Sequence, residues 1–133
     1  MKYLLDTHTF IWTISDFENL STNAQNIIKN VDNEIFVSIL SFWEISLKMS
    51  IGKFNINGFD IKKATEYMRD LNCYFLYLTE KETTTFHDLP LYSNHKDPFD
   101  RMIIWQAITA NIPLISKDKF FDQYKNCGLK LVW

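Results

Sequence analysis

Four acidic residues, Asp6, Glu44, Asp100 and Asp118, stand where a short apolar run hands over to a helical one, or in the first turn of the helix. In an open α/β sheet such junctions line up along one edge, the edge at which ligands bind. Carboxylates far apart in the chain are thereby candidates for one pocket. Acids gathered without a matching set of bases require a hard cation, and a hard cation among carboxylates points to phosphodiester chemistry. The donors on offer are oxygens, with no cysteine and at most peripheral histidine. Mg²⁺ or Mn²⁺ therefore fits and Zn²⁺ does not.

The elements that must position these acids alternate between strands and helices. Lys2–Leu5 is a short apolar run ending at Asp6, as a buried first strand does, and Thr7–Ser15 is helical. Ser21 caps a second helix with Ala24, Ile27, Ile28 and Val31 on its apolar face. Glu34–Val37 is the second strand, followed by a helix over Ser41–Ile51 that stops before Gly52 and another over Ile61–Leu71. Cys73–Leu78 is a third strand and Glu80–His87 a short helix. Pro98–Asn111 is apolar nearly all round and should be the central buried helix. Pro113–Ser116 is the fourth strand, a helix follows from Asp118, and Leu129–Trp133 makes a last edge strand. This order predicts an α/β three-layer sandwich: a mainly parallel sheet of four to five strands with helices on both faces, one domain over residues 1–133.

Each acid also has a purely local use. Ser41-Phe-Trp-Glu44 fits a capping box, and Glu44 and Lys48 sit at i,i+4. Asp97 fits an N-cap with Pro98 at the first helical position and Asp100 in the first turn; Asp6 and Asp118 can cap the helices that follow them. Capping, however, does not require the acids to converge or to lie in apolar surroundings. Two carboxylates about 4 Å apart repel by roughly 4 kcal/mol at an effective dielectric of 20, and helix N-termini offset only about 1 kcal/mol each. A converged set is costly to stability and is best explained by function.

Composition narrows the classes. Three glycines exclude a glycine-rich phosphate loop, and a net charge of −2 excludes a broad basic field, so a polynucleotide must be held locally. Cys73 and Cys127 lack metal-type spacing and read as free thiols of a reducing compartment. No segment reaches the roughly 18 apolar residues of a membrane span, and the first residues carry no export signal, so no membrane partner and a cytoplasmic location are expected.

The blocks around the acids resemble a known family. Met1-Lys-Tyr-Leu-Leu-Asp6-Thr7-His8 is similar to the opening of PIN-domain proteins, and Trp43-Glu44-Ile-Ser-Leu-Lys48-Met-Ser-Ile-Gly52-Lys53-Phe to their second acidic block. His95-Lys-Asp97-Pro98-Phe99-Asp100-Arg101-Met-Ile-Ile resembles the third, the most specific of the set, and Leu114-Ile-Ser116-Lys117-Asp118-Lys-Phe the fourth. The pattern is that of VapC-type toxins of bacterial toxin–antitoxin pairs and spans nearly the whole chain. The resemblance implies a Mg²⁺-dependent endoribonuclease that hydrolyses RNA with metal-activated water, leaving a 5′-phosphate and a 3′-hydroxyl. By position Asp6, Glu44, Asp100 and Asp118 match the family's four acids.

Asp6, Asp100 and Asp118 are expected to hold the metal directly or through water, and Glu44 to bind a second metal or orient the attacking water. Asp97 reads as the cap that positions Asp100, and Asp122 as exposed. Thr7 and Ser116 are candidates to hold water or phosphate, or to make capping bonds. His8 and His95 are candidates for substrate contact or structural hydrogen bonds, and His87 for the surface. Lys117 is a candidate phosphate contact; for Lys48 and Arg101, pairing with the carboxylates is expected instead. Aromatic residues at 16% exceed what so small a core needs. The resemblance implies a cognate antitoxin and a homodimer, and Trp12, Trp43, Phe10 and Phe17 are candidates for the antitoxin groove, with at least two of them serving the core. Three alternatives stay open: a nuclease acting on DNA or structured nucleic acid, a phospho-acceptor domain, and a non-catalytic binding module. A phospho-acceptor domain needs adjacent acids at the first strand, where Thr7 and His8 stand beside Asp6; a dehalogenase-type phosphatase needs a second Asp where His8 stands.

Overall fold

Leu4 and Leu5, neighbours in the first strand, are both fully buried, which a strand achieves only when helices cover both faces of its sheet. The computed structural model describes residues 1–133. It contains five strands: β1 (Lys2–Leu5), β2 (Glu34–Ser38), β3 (Cys73–Leu76), β4 (Leu114–Ile115) and β5 (Leu131–Val132). All pairings are parallel, in the order β3-β2-β1-β4-β5. The chain runs outward from β1 through β2 to β3, then resumes at β4 on the other side. The switch point of the sheet therefore falls between β1 and β4, where Leu5 pairs with Ile115.

The helices are α1 (Thr7–Ser15), α2 (Thr22–Lys29), α3 (Ile39–Ser50), α4 (Ala64–Asp70), α5 (Glu80–Thr85) and α6 (Pro98–Thr109). Alternating strand positions feed two cores. Leu4 and Leu114 pack with Ile103, Ile104 and Ala107 of α6 and with Phe121 and Tyr124. Leu5, Val37 and Ile115 pack on the other face with Phe10 of α1, Ala24 of α2, Phe42 and Ile45 of α3 and Met68 of α4. The buried Gln106 of α6 accepts a hydrogen bond from the Ser38 hydroxyl at 2.6 Å, tying the end of β2 to the central helix. No helix is long and apolar enough to cross a membrane.

Several element boundaries depart from the sequence reading for local reasons. α3 begins at Ile39 directly after β2, with the Ser38 hydroxyl accepting from the Leu40 N–H at 3.1 Å, so Ser41 is inside the helix and caps nothing. α6 ends at Thr109 because Asn111 takes a left-handed conformation (φ 55°), which Asn tolerates better than most residues. The segment after Asp118 winds as 3₁₀ turns over Lys119–Cys127 instead of an α-helix, and closes on Gly128 at φ 98°. Residues 61–63 are likewise a 3₁₀ turn, with α4 starting only at Ala64. The third strand stops at Leu76, and α5 gives way to a 3₁₀ turn at Phe86. α2 ends at Lys29, which puts Val31 past the helix and 87% exposed instead of on its apolar face.

Val31→Asp should change stability by less than about 0.5 kcal/mol, as surface changes do. Ala24→Asp, at a fully buried site on the same helix, should cost more than about 2 kcal/mol, because it buries a polar group without a partner. Denaturant titration of both variants checks the boundary: a comparable loss in the two would place Val31 in the core.

Candidate metal centre

Asp6 follows the last residue of β1 and caps α1. One of its oxygens, Oδ1, accepts the Thr9 N–H at 2.6 Å; the other accepts the hydroxyl hydrogen of Ser116, from the adjacent strand end. Ser116 Oγ in turn accepts the Asp118 N–H at 3.1 Å. One hydroxyl, 110 positions from Asp6 in the sequence, thus locks the first acid to the backbone of the last. Asp118 also caps the 3₁₀ turns, accepting from the Phe120 N–H at 2.8 Å. Asp100 enters from α6, whose N-terminus Asp97 fixes by accepting from the N–H groups of Phe99 and Asp100 at 2.9 and 3.0 Å.

Asp6, Asp100 and Asp118 line one cleft of about 230 Å³, together with His8, Trp12, Lys117 and Phe121. Glu44, 3% exposed in the second turn of α3, stands beside it. Its Oε2 accepts the Thr7 hydroxyl at 2.6 Å and its Oε1 meets the Lys48 ammonium at 2.5 Å. The capping-box use expected of Glu44 is therefore not made. The i,i+4 pair with Lys48 is, and it is part-buried rather than on an exposed face. Burial pulls the Lys48 pKa down, but the Glu44 carboxylate, backed by Asp97 and Asp100, outweighs that and raises it.

Asp100 carries the electrostatic signature of convergence. Its pKa is pushed from 3.8 to about 8, first by burial and then by the charges of Asp97, Glu44, Asp6 and Asp118. Asp6 is also raised, by burial, against the hydrogen bonds from Ser116 and Thr9. By contrast Glu82, another buried acid, is satisfied in a capping box with Thr79 and by the Thr109 hydroxyl, and takes no part in the cleft.

The remaining candidates separate. Thr7 and Ser116 direct their hydroxyls to carboxylates, so neither is free for phosphate. Asp97 is an exposed helix cap, as expected, and Asp122 is exposed and paired with Lys125 at 2.5 Å. His87 is on the surface. His8 is exposed at the mouth of the cleft, its ring 6.1 Å from that of Trp12, with the Lys117 ammonium 5.6 Å from the Trp12 ring. Arg101 does not pair with the acids: it donates to the carbonyls of Leu89 and Pro90 at 3.1 and 3.4 Å and lies 4.8 Å from the Phe86 ring. Phe10 is fully buried against Phe42, which removes it from any partner groove, whereas Trp43 is 61% exposed.

His95 is deeper in the site than its sequence context suggested. It is 6% exposed, its Nδ1 lies 2.8 Å from the Tyr124 hydroxyl, and its Nε2 faces Asp100 Oδ2 at 3.5 Å with no hydrogen-bond partner. Donor atoms of His95, Asp100 and Asp118 lie within 4.8 Å of one another. An unpartnered buried nitrogen costs about 1–3 kcal/mol. Together with a carboxyl that holds its proton near neutrality and a lysine ammonium standing against Glu44, it marks a site built around missing positive charge. A divalent cation fits that donor set. Sequence reasoning missed Tyr124, which no local signal connects to the acids. It read Trp12 as a candidate for a partner groove or the core and did not connect it to the cleft, which Trp12 lines with His8 one turn away on α1.

The raised pKa of Asp100 fixes a pH dependence. Between about pH 4 and pH 8 the folded protein holds a proton on Asp100 that the unfolded chain, with its ordinary value of 3.8, has released. Raising the pH through that window therefore removes stability. Asp100→Asn, which never ionises, should raise the thermal midpoint of the metal-free protein more at pH 8 than at pH 5, by an amount worth more than about 1 kcal/mol. Parallel midpoint–pH curves for the two proteins would rule out the convergence of charge on Asp100.

Comparison with known proteins adds the lineage. The chain matches the VapBC2 structure from Rickettsia felis, bound to a DNA fragment from their promoter, with a TM-score of 0.65 at 18% identity, over 99% of this chain and 98% of that one. VapBC-1 from nontypeable Haemophilus influenzae matches with a TM-score of 0.60 at 17% identity, over 99% and 97% of the two chains. VapBC-5 from Mycobacterium tuberculosis, a member of the VapBC family of toxin–antitoxin systems, matches with a TM-score of 0.61 at 13% identity, over 98% and 97%. At these identities the likeness is one of fold. No curated protein matches the sequence significantly. The family model for the PIN domain matches residues 3–126, a span that holds all four acids, and the chain belongs to the PIN-domain family.

Proposed function

We propose that this protein is a metal-dependent endoribonuclease and the VapC-type toxin of a toxin–antitoxin pair, working in the cytoplasm. The observation that carries this reading is the acidic cleft: Asp6, Asp100 and Asp118 line it, and Asp100 feels the charge of each of the other acids, Glu44 included. Asp6, Asp100 and Asp118 hold the cation, a divalent ion such as Mg²⁺ or Mn²⁺. A bound divalent cation acidifies water and neutralises the charge that grows on the phosphate.

The chain's own groups do the rest. Ser116 keeps Asp6 and Asp118 in register, and Asp97 fixes the turn from which Asp100 projects. Thr7 holds Glu44 Oε2, which aims that carboxylate at the attacking water or a second cation. Lys117, exposed at the cleft mouth without an ion-pair partner, meets the phosphodiester backbone, and the rings of His8 and Trp12 offer a face to a neighbouring base. These local contacts compensate for the net charge of −2, which gives no general attraction to RNA.

A cognate antitoxin is the proposed protein partner. The VapBC fold matches support this, as does an apolar row along α3 and its C-cap, where Trp43, Leu47 and Ile51 are exposed by 61%, 43% and 58% at four-residue spacing. A homodimer is proposed on the family resemblance alone.

Matched RNA and DNA oligonucleotides with Mg²⁺ test the activity. RNA should be cut and DNA left intact, chelation should abolish cutting, and Asp6→Asn and Asp118→Asn should each slow it by at least about 100-fold. In cells, wild type should arrest growth and Asp100→Asn should not. Equal cutting of DNA would shift the substrate class, and equal arrest by both proteins would contradict the catalytic reading.

A further inference from the structure

We infer that His95 is a nitrogen donor to the cation held by Asp100 and Asp118, so that the centre is a mixed nitrogen–oxygen site that favours transition-metal ions over Mg²⁺. This rests on the cation site of the proposed function and goes beyond it, since the acids alone offer only oxygen.

The ring is held for this role. His95 is 6% exposed and is packed edge-on against Phe121 and Tyr124, each at 5.4 Å between ring centres, with Phe120 stacked at 6.5 Å. Tyr124 takes its Nδ1 at 2.8 Å. A phenol oxygen can accept the Nδ1 hydrogen, and that tautomer leaves the lone pair of Nε2 directed at Asp100 Oδ2, 3.5 Å away. A ligating imidazole commonly has this arrangement, one nitrogen anchored by a hydrogen bond and the other turned to the metal.

The spacing suits shared ligation. Two donors about 2.1 Å from one ion stand roughly 3.0 Å apart when adjacent and about 4.2 Å apart when opposite. The 3.5 Å between His95 and Asp100 falls in that range, and the donor atoms of His95, Asp100 and Asp118 lie within 4.8 Å of one another, so a small side-chain adjustment closes the set. At that distance Nε2 makes no hydrogen bond to Asp100 and is left without a partner. A nitrogen lone pair and the oxygens of two acids are thereby gathered with no positive charge between them, which a cation would supply. Imidazole binds transition-metal ions far better than it binds Mg²⁺, and the preference grows along the series from Mn²⁺ to Co²⁺.

Untagged protein stripped of metal provides the test. Mn²⁺ bound to wild type should show nitrogen hyperfine coupling from an imidazole by pulsed electron paramagnetic resonance. His95→Phe, which keeps the aromatic packing, should lose the coupling, and His8→Gln should keep it. By calorimetric titration His95→Phe should weaken Co²⁺ and Mn²⁺ roughly 10- to 100-fold while leaving Mg²⁺ within about threefold. Tyr124→Phe, which frees Nδ1 but retains Nε2, should keep the coupling with weaker binding. Thermal midpoints of the metal-free variants report on folding, and the wild-type spectrum needs no variant to be informative. Bound Mn²⁺ without nitrogen coupling, or equal losses of Co²⁺ and Mg²⁺ in His95→Phe, would overturn the inference while leaving the acidic site standing. Undiminished Mn²⁺ binding by Asp118→Asn would overturn both.

Discussion

The parallel pairing of β1 with β4 is the constraint on which the site depends. It sets Leu5 beside Ile115, and the next residues, Asp6 and Ser116, then emerge side by side at the open edge of the sheet. From there a single hydroxyl reaches both Asp6 and the backbone of Asp118. Strand pairing sets this geometry: the Asp6 N–H bonds to the Ile115 carbonyl at 3.2 Å and the Asp118 N–H to the Ser116 hydroxyl at 3.1 Å. α3 and α6 then bring Glu44 and Asp100 against them from opposite faces of the sheet. A ligand at this edge is met by side chains from four separate stretches of chain, none able to form the site alone.

What the sequence revealed and what it concealed divide along physical lines. Strand runs that are apolar at every position, such as Tyr3-Leu4-Leu5 and Leu114-Ile115, announce burial on both faces, and they gave the parallel sheet and its edge. The acids were legible because they stand at strand-to-helix junctions. Partners were harder to read. Ser41-Phe-Trp-Glu44 satisfies the spacing of a capping box, but β2 runs straight into α3, and Ser38 takes the cap. Glu44 is then free to bond Thr7, a contact across 37 positions that no local pattern encodes. Arg101 follows Asp100 directly, yet successive helix residues point to different sides, and its guanidinium reaches the Leu89 carbonyl instead. His95 was visible as part of a motif, but its depth depends on Phe121 and Tyr124, which reach it from the 3₁₀ turns after β4.

Aromatic excess has the same dual character. Phe10, Phe42 and Phe75 form one packed series inside the α1–α3 face. Trp43 lies across Phe99, at 5.1 Å, and leaves most of its surface to solvent. Composition alone cannot separate these uses, because a helix turns a residue by about 100° per step and a single step moves a ring from core to surface. Phe42 and Trp43 are adjacent in α3 and illustrate it: the first is buried and the second exposed.

The chain's own groups offset much of the charge of the site, and the means are local. Lys48 lies against one oxygen of Glu44, and Asp100, with its pKa near 8, keeps a proton at neutral pH. Asp6 gives both oxygens to hydrogen-bond donors. Three different devices therefore offset three of the four acids, and Asp118 gives one oxygen to the Phe120 N–H. A cation in the cleft would draw Asp100 into its charged form, since its field opposes the burial and repulsion that hold the proton in place. Binding of an ion and loss of that proton would then be linked. The means by which the fold tolerates the acids would also make them responsive to a divalent ion: a carboxyl kept neutral by its neighbours is a ligand whose proton an ion can displace.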